Sequence, residues 1–321
     1  MPRQAEDFPV SLKCDTIYTV KNRPGVIDTL SLGFSAITQQ LWVLAIPVAL
    51  DLYLWLGPRL SPLPLIQRAS LYLPSAGPGI QWQELLEGLN LFSLLASAIF
   101  GVPSLMAGAT SVSPLGPMVI EIDGGLGFMG WVLLLLSLGL LLGCLYLGLI
   151  AQKVREQPYP ALLRRVWGYW LRVILLLLTF IGGAILLGFP LAMGLTLVSF
   201  LSESLTPILS TLLLALLVWI WFYLFFAIDA IVISDAGPLS AIWNSINVVR
   251  RNFWSSLGLI ILINVIGMGL SFVWRALGAN PWGLALGIVG NAYVGSGLAA
   301  AGLIFYRDRY TSWLEERSGS R

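Results

Sequence analysis

Long apolar runs with almost no charge are the feature that most limits how this chain folds. Several of them reach about 20 residues, the length at which a helix crosses roughly 30 Å of hydrocarbon. The 321-residue chain is 57% hydrophobic and 11% charged, whereas soluble domains carry about 25% charged residues. A single water-soluble core cannot bury so many apolar helices. The sequence therefore predicts an all-α, polytopic membrane helix bundle.

Six transmembrane helices are predicted. They cover residues 41–56, 128–152, 170–201, 208–232, 256–274 and 281–306. The third is longer than a membrane requires, so we expect it to tilt or to break, at Gly182-Gly183 or at Gly188-Phe189-Pro190. The six helices form a single membrane domain, 24–306, between an amino-terminal arm, 1–23, and a tail, 307–321.

The basic residues predict the orientation. Of 18 Lys and Arg, only Arg59, Arg68 and Arg275 lie on one predicted side. The others fall in the arm, the tail, and the connections from the second helix to the third and from the fourth to the fifth. Loops rich in Lys and Arg stay in the cytoplasm. Both termini are therefore expected to be cytoplasmic.

Residues 91–109 are apolar enough to resemble a seventh span. A crossing there would invert every later loop and place the basic residues Lys153 to Arg165 outside. Gly101-Val102-Pro103 also interrupts a continuous helix. We therefore predict a re-entrant or outer-surface helical segment within a long outer connection, 58–127. An ordinary seventh span is the alternative.

Two lead-in segments, 24–40 and 238–253, share a pattern. Each begins near a proline, places apolar side chains at helical spacings of three and four, and ends near Trp42 or Trp254. The apolar positions are Val26 or Ile27, Leu30, Phe34, Ile37 and Leu41 in the first, and Leu239, Ile242, Ile246, Val249 and Phe253 in the second. Polar side chains, including Asn244 and Ser245, occupy the other face. The pattern predicts amphipathic helices on the cytoplasmic membrane surface.

A shorter and more basic segment, 158–169, is predicted as a third such interfacial helix. The sequence then predicts three repeated units, each consisting of an interfacial helix followed by two transmembrane helices. Convergent composition is the alternative to a true repeat, because helices that lie on membrane surfaces resemble one another.

The second lead-in, Pro238-Leu-Ser-Ala-Ile-Trp-Asn-Ser-Ile-Asn-Val-Val-Arg-Arg-Asn-Phe-Trp254, resembles the membrane domain attached to some bacterial glycerophosphodiester phosphodiesterases. The stretch from Trp42 to Pro58, with Ile46-Pro47 and Leu50-Asp51, is similar to the first span of stand-alone relatives of that domain. The resemblance implies architecture and a location in the bacterial cytoplasmic (inner) membrane. The phosphodiesterase catalytic domain is missing, so no catalytic residue carries over.

Two acids fall inside predicted spans, Asp51 and Asp229. A carboxylate in apolar surroundings costs several kcal/mol unless it is paired, neutralised or hydrated. We expect Arg59 or Arg68 to pair with Asp51, and Arg172 to reach Asp229. In the last two spans, Asn264 and Asn291 lie at similar predicted depths and are expected to share a hydrogen bond.

Small residues recur at every fourth position of the sixth span. Gly283, Gly287, Gly295 and Ala299, with Asn291 between them, form a groove that allows close helix approach. Gly139 and Gly143 form a smaller one in the second span. Internal packing is the expected use, and a subunit, lipid or ligand contact is the alternative.

The chain contains no histidine, which removes the commonest metal ligand and the usual general base near neutral pH. No metal-ligand spacing, phosphate loop or basic patch for nucleic acid stands out. We therefore expect no enzymatic activity, cofactor, metal or nucleic-acid partner. The preferred expectation is a membrane scaffold or accessory subunit that contacts lipids, a membrane-protein partner or a second copy. The alternative is a transporter or permease subunit with a polar path near Asp51, Asn264, Asn291 and Asp229.

Overall fold

The computed structural model describes residues 24–70, 89–96, 101–108, 118–155, 162–202, 204–278 and 280–319. Within them most residues are helical, and the strands are limited to a parallel pair, β1 (Arg59–Ser61) and β2 (Val119–Glu121). The all-α class is confirmed. The described α-helices are α1 (Val26–Thr38), α2 (Ala45–Leu56), α3 (Leu63–Ser70), α4 (Gly125–Val154), α5 (Leu162–Leu201), α6 (Leu205–Leu224), α7 (Ala227–Ser234), α8 (Pro238–Arg251), α9 (Phe253–Leu277) and α10 (Pro281–Gly319).

Five described helical segments are long and apolar enough to cross a membrane. They are Gly125–Val154, Arg164–Phe200, Leu205–Ser234, Phe253–Leu277 and Pro281–Ser318. The predicted first span differs, because a 3-10 turn, Leu41–Leu44, leads into the 12-residue α2. The chain bends by 87° between Val26–Thr38 and Leu41–Leu56, and this bent pair supplies the sixth candidate.

Helix α5 corrects two expectations. It is one uninterrupted helix of 40 residues with Pro190 inside it, so neither the paired glycines nor the proline breaks it. Residues 162–169 are its first turns, so the separate surface helix predicted over 158–169 does not form there; residues 156–161 lie outside the described part. Among apolar side chains, a helix satisfies its own backbone hydrogen bonds, which outweighs the weak helix propensity of glycine.

Helix α10 continues well past the predicted boundary at Tyr306. Its 39 residues reach Gly319, so most of the predicted tail is helical. Tyr306 and Tyr310 stack with ring centroids 5.4 Å apart. Beyond them, Arg251 pairs with Glu316 at 2.8 Å, which connects α10 to the end of α8.

Helix α1 packs closely against α10 through glycine. A Cβ atom added at Gly33 would lie 2.6 Å from the carbonyl oxygen of Gly297 and 2.7 Å from the backbone nitrogen of Ala301. This contact requires glycine because the two backbones approach within the reach of a methyl group. The predicted apolar stripe is right for Leu30 and Ile37, which are buried, whereas Ile27 and Leu41 are exposed.

Helix α8 buries part of the predicted apolar stripe together with polar residues. Val249 of the stripe is buried and Leu239 is exposed, while Asn244 and Ser245 of the predicted polar face are buried. The hydroxyl of Ser245 donates to the carbonyl of Tyr223 at 2.7 Å. That carbonyl belongs to the last turn of α6, where helix ends leave carbonyl groups without intrahelical partners. Because the carbonyl of Tyr223 accepts a hydrogen bond from Ser245, the polar edge of α8 faces the interior.

Arginines gather the predicted cytoplasmic connections at one end of the bundle. Arg155, after α4, donates to the carbonyl of Val232 in the last turn of α7 and pairs with Asp235 at 3.3 Å. Arg307 donates to the carbonyl of Val154 at the end of α4. Guanidinium groups at helix carboxyl ends satisfy free carbonyls and oppose the negative end of the helix dipole.

Two further arginines also donate to backbone carbonyls, one in the segment before α1 and one beside the small sheet. Arg309 donates to the carbonyl of Pro24 at 3.1 Å, so the segment before α1 joins the same cluster. Arg68 instead donates to the carbonyl of Asp123 at 3.2 Å, beside the small sheet. Arg68 thus contacts a different part of the protein from Arg155, Arg307 and Arg309.

Candidate functional site

A cavity of about 750 Å³ lies between α4, α7, α9, α10 and the connection 91–108. Helix α9 lines it with residues every fourth position: Ile263, Gly267, Ser271 and Arg275. Helix α10 contributes one face, consisting of Asn291, Val294, Gly295, Leu298, Ala299 and Gly302. At 1.5 Å per residue, the α10 face extends for about 16 Å.

The predicted groove of α10 is used for packing inside the protein. A Cβ atom at Gly287 would lie 3.2 Å from the carbonyl of Trp274, and one at Gly290 would lie 2.7 Å from its ring. Gly295 lies against Pro103 of the connection. Ala299 lines the cavity. Gly287 and Gly295 thus contact other parts of the same chain, while Ala299 faces the cavity.

The remaining predicted small residues also lie within the protein's own helices. A Cβ atom at Gly283 would meet the carbonyl of Leu277, at the turn between α9 and α10. Gly139 and Gly143 are both buried in α4.

Asp51 holds the connection that forms one wall of the cavity. Its buried carboxylate accepts hydrogen bonds from the backbone N–H groups of Leu105 at 2.9 Å and Met106 at 3.1 Å, and from the hydroxyl of Ser104. Ser104 Oγ in turn accepts from the N–H of Ala107 at 3.0 Å. Together they cap the 3-10 turn Met106–Gly108, whose first N–H groups have no partner within the turn.

This arrangement corrects the expected partners of Asp51. The donors are a hydroxyl and two backbone amides rather than Arg59 or Arg68, and Arg68 contacts the carbonyl of Asp123. Neutral donors satisfy a buried carboxylate without the burial of a second charge.

The connection itself has the interruption that the sequence predicted. A 3-10 helix covers Leu91–Ala96, residues 101–104 are not helical, and Gly101 has a φ of +72°, a left-handed conformation that favours glycine. Residues 97–100 and 109 lie outside the described residues. In the described parts, 91–96 and 101–108, no helix long enough for a seventh span forms.

Asp229 lines the cavity near the start of α7. It forms no hydrogen bond or ion pair with any residue that the structure describes. The expected partner, Arg172, instead donates to the carbonyl of Asp235 at 2.9 Å and approaches its carboxylate at 3.8 Å. Gly302 is a close neighbour, since a Cβ atom there would lie 3.5 Å from Asp229 Oδ2.

The other end of the cavity is also polar. Ser271 donates to the side-chain carbonyl of Asn291 at 3.2 Å. The predicted pair of asparagines is wrong, because Asn264 donates to the carbonyl of Ile260 in its own helix at 2.7 Å. Arg275 lines this end, is exposed, and has no hydrogen bond or ion pair to another described residue.

The sequence analysis missed Ser104 of the connection and Ser271 of α9, and used Arg275 only for the orientation. Ser271 and Arg275 stand four apart on one helix face. That spacing, continued by Gly267, is a detectable signal of a polar stripe. Groups of three or more metal-ligating side chains are not found among the described residues.

Comparison with known families gives one match. A family model described as a domain of unknown function, DUF7847, matches residues 91–295. This is more than half of the chain. The protein belongs to the DUF7847 family. The DUF7847 match includes the connection 91–108, Asp229 and Arg275, and therefore covers most of the cavity wall. No curated protein and no solved structure matches significantly.

Proposed function

We propose that this DUF7847 protein is a multi-pass membrane protein whose helices line a partly open, solute-binding cavity, as in a transporter or permease subunit. The observation that carries the proposal is an unpaired carboxylate, Asp229, in a cavity of about 750 Å³. Ligand sites in proteins typically measure about 300–1,000 Å³ and combine apolar walls with a few polar groups. This cavity has the same composition.

The apolar outer surface supports membrane insertion. Large side chains such as Leu186, Phe200 and Leu212 on α5 and α6 are 74%, 83% and 61% exposed. Soluble monomers rarely carry contiguous apolar patches of more than a few hundred Å². Contact with lipid acyl chains removes the free-energy cost of exposing such a surface to water. We propose six crossings, with Leu41–Leu56 as the first and shortest.

The proposed orientation places both termini in the cytoplasm of a bacterium and Arg275 toward the outside. It rests on the positive-inside rule and on the arginine contacts that gather the basic connections at one end. Exposed Leu239 and Trp243 accompany the exposed Arg250 on α8. Aromatic and basic side chains together favour the level of lipid headgroups. The relation to phosphodiesterase membrane domains stays a prediction.

A scaffold or accessory role is the second candidate. The exposed apolar surface of α5 and α6 favours it, because a partner helix can pack there. The small-residue groove of α10 no longer supports it, since Gly287, Gly290 and Gly295 contact other parts of the same chain. The cavity is therefore the stronger guide to function.

Cysteine accessibility tests the proposed cavity. In a background with Cys14 and Cys144 replaced by serine, Ser271→Cys and Ala299→Cys are expected to react with a small charged methanethiosulfonate reagent. Leu212→Cys, on the exposed apolar face of α6, is the control and is expected to react slowly, because thiolate formation requires water. If Ser271→Cys and Ala299→Cys are as unreactive as the control, the cavity is not open to solutes and the proposal fails.

A further inference from the structure

We propose that the cavity binds apolar monovalent organic cations, with the positive group held against Asp229 and Phe225 and the apolar body held between α9 and α10. This inference rests on the proposed solute-binding cavity and adds the chemical class of the solute. It follows from the two cavity charges without a partner among the described residues, Asp229 and Arg275, and from the side chains beside Asp229.

Asp229 is the unsatisfied charge at the far end of the cavity from Arg275. The basic residues near the end of α7 are already engaged, since Arg155 and Arg172 both bind Asp235. A carboxylate surrounded by apolar side chains is costly unless a positive partner or hydrogen bonds compensate it. The described residues supply neither, and Asp229 is partly exposed to the cavity, so a cationic ligand that replaces its water is the complement that we propose.

An aromatic ring accompanies this carboxylate. Phe225 and Asp229 stand four residues apart and both line the cavity. Phe225 follows the last residue of α6, and the backbone bond from the N–H of Ala230 to the carbonyl of Phe226, at 2.9 Å, begins the first turn of α7 one residue later. An aromatic ring and a carboxylate in the same cavity are a favourable environment for a cation, especially away from water.

The walls between the two ends are apolar. Leu147, Ile228, Ile263 and Leu298 line them. Such walls favour a ligand with a large apolar body over a small hydrated ion, because the ion would lose its water without gaining ligands. The metal-ion alternative is further disfavoured by the single carboxylate.

Arg275 does not reverse this preference. It lies at the end marked by Asn291, about 16 Å along α10 from the level of Gly302 beside Asp229. It is exposed, and exposed charges are screened over a Debye length of about 8 Å at physiological salt. The guanidinium therefore acts weakly on a cation at Asp229, whereas the carboxylate acts at contact distance.

The test compares two probes of nearly the same shape and opposite charge. Binding of radiolabelled tetraphenylphosphonium and tetraphenylborate to the purified full-length protein in detergent is measured against empty micelles. We expect saturable binding of the cation and weak binding of the anion. Asp229→Asn is expected to weaken cation binding by on the order of 30-fold, and Asp229→Glu by only a few-fold. Asp123→Asn, an exposed carboxylate outside the cavity, is the matched control and should bind as the parent does.

A second variant, Phe225→Leu, keeps the proposal testable if Asp229→Asn fails to fold. Phe225→Leu keeps an apolar side chain and removes the ring, and is expected to weaken cation binding about fivefold. Parent-like cation binding by both Asp229→Asn and Phe225→Leu overturns the proposal. So does preferential binding of tetraphenylborate.

Failure of the cation proposal and failure of the cavity are distinguishable. If neither probe binds while Ser271→Cys reacts with the charged thiol reagent, the cation class is wrong and the open cavity stands. If neither probe binds and Ser271→Cys is unreactive, the solute-binding cavity itself is refuted.

Discussion

Ser104 donates its hydroxyl proton to the buried carboxylate of Asp51, which lies 53 residues earlier in the chain. This bond and the two backbone bonds beside it attach the connection 101–108 to α2. Because Pro103 of the same connection packs on Gly295, the position of the cavity wall depends on Asp51. An acid that looked like a transport residue is thus a structural cap.

Replacement of Asp51 is expected to destabilise the protein more than replacement of Ser104. Asp51→Leu leaves the N–H groups of Leu105 and Met106 buried without acceptors, which costs about 3 kcal/mol of unfolding free energy. Ser104→Ala keeps both backbone bonds and costs about 1 kcal/mol. Both losses of stability are measured by unfolding the two variants in mixed detergent micelles. Equal stability of Asp51→Leu and the parent would show that the cap contributes nothing.

The glycine contact between α1 and α10 predicts a large effect from a single methyl group. Gly33→Ala places Cβ against the backbone of α10, and overpacking of this kind costs about 2 kcal/mol. Gly182→Ala in α5, where nothing lies within 4 Å of the added Cβ, is the control. Alanine there is expected to stabilise the helix by up to about 1 kcal/mol. Thermal unfolding of the two variants should shift in opposite directions, and shifts of the same sign and size contradict the close approach.

We expect Arg155 to contribute more to the free energy of unfolding than its acidic partner, Asp235. Arg155→Ala removes both the pair with Asp235 and the donor to the carbonyl of Val232, and should cost about 2 kcal/mol. Asp235→Asn removes partly exposed ion pairs with Arg155 and Arg172, each worth about 0.5 kcal/mol. Unfolding free energies of the two single variants decide the point. A larger loss for Asp235→Asn would assign the stabilisation to the ion pair instead.

Labelling of intact cells tests the proposed orientation. In the cysteine-free background, Arg250→Cys is expected to resist a bulky, membrane-impermeant maleimide, and Asp123→Cys is expected to react. Both native side chains are exposed, so burial does not explain a difference between them. Lysis should make Arg250→Cys reactive. The reverse pattern in intact cells would invert the topology.

The helical class and most helix positions were predictable because long apolar runs and prolines are local signals. Contacts between segments that are distant in the sequence were not predictable in this way. Asp51 was recognisable as a buried acid, but its donors lie in a connection whose path no local pattern specifies. Likewise, the inward turn of Ser245 depends on a free carbonyl at Tyr223, where α6 ends. The continuity of α5 through Pro190 also escaped prediction, since the glycines and the proline there are helix-breaking signals.

The unbroken course of α10 has a mechanical consequence. One rod carries Ala299 and Gly302 beside Asp229, and then continues to Glu316, about 21 Å beyond Gly302. A tilt of a few degrees at the cavity becomes a displacement of an ångström or more where Glu316 meets Arg251. Any tilt of α10 at the cavity is therefore enlarged at the contact between Glu316 and Arg251.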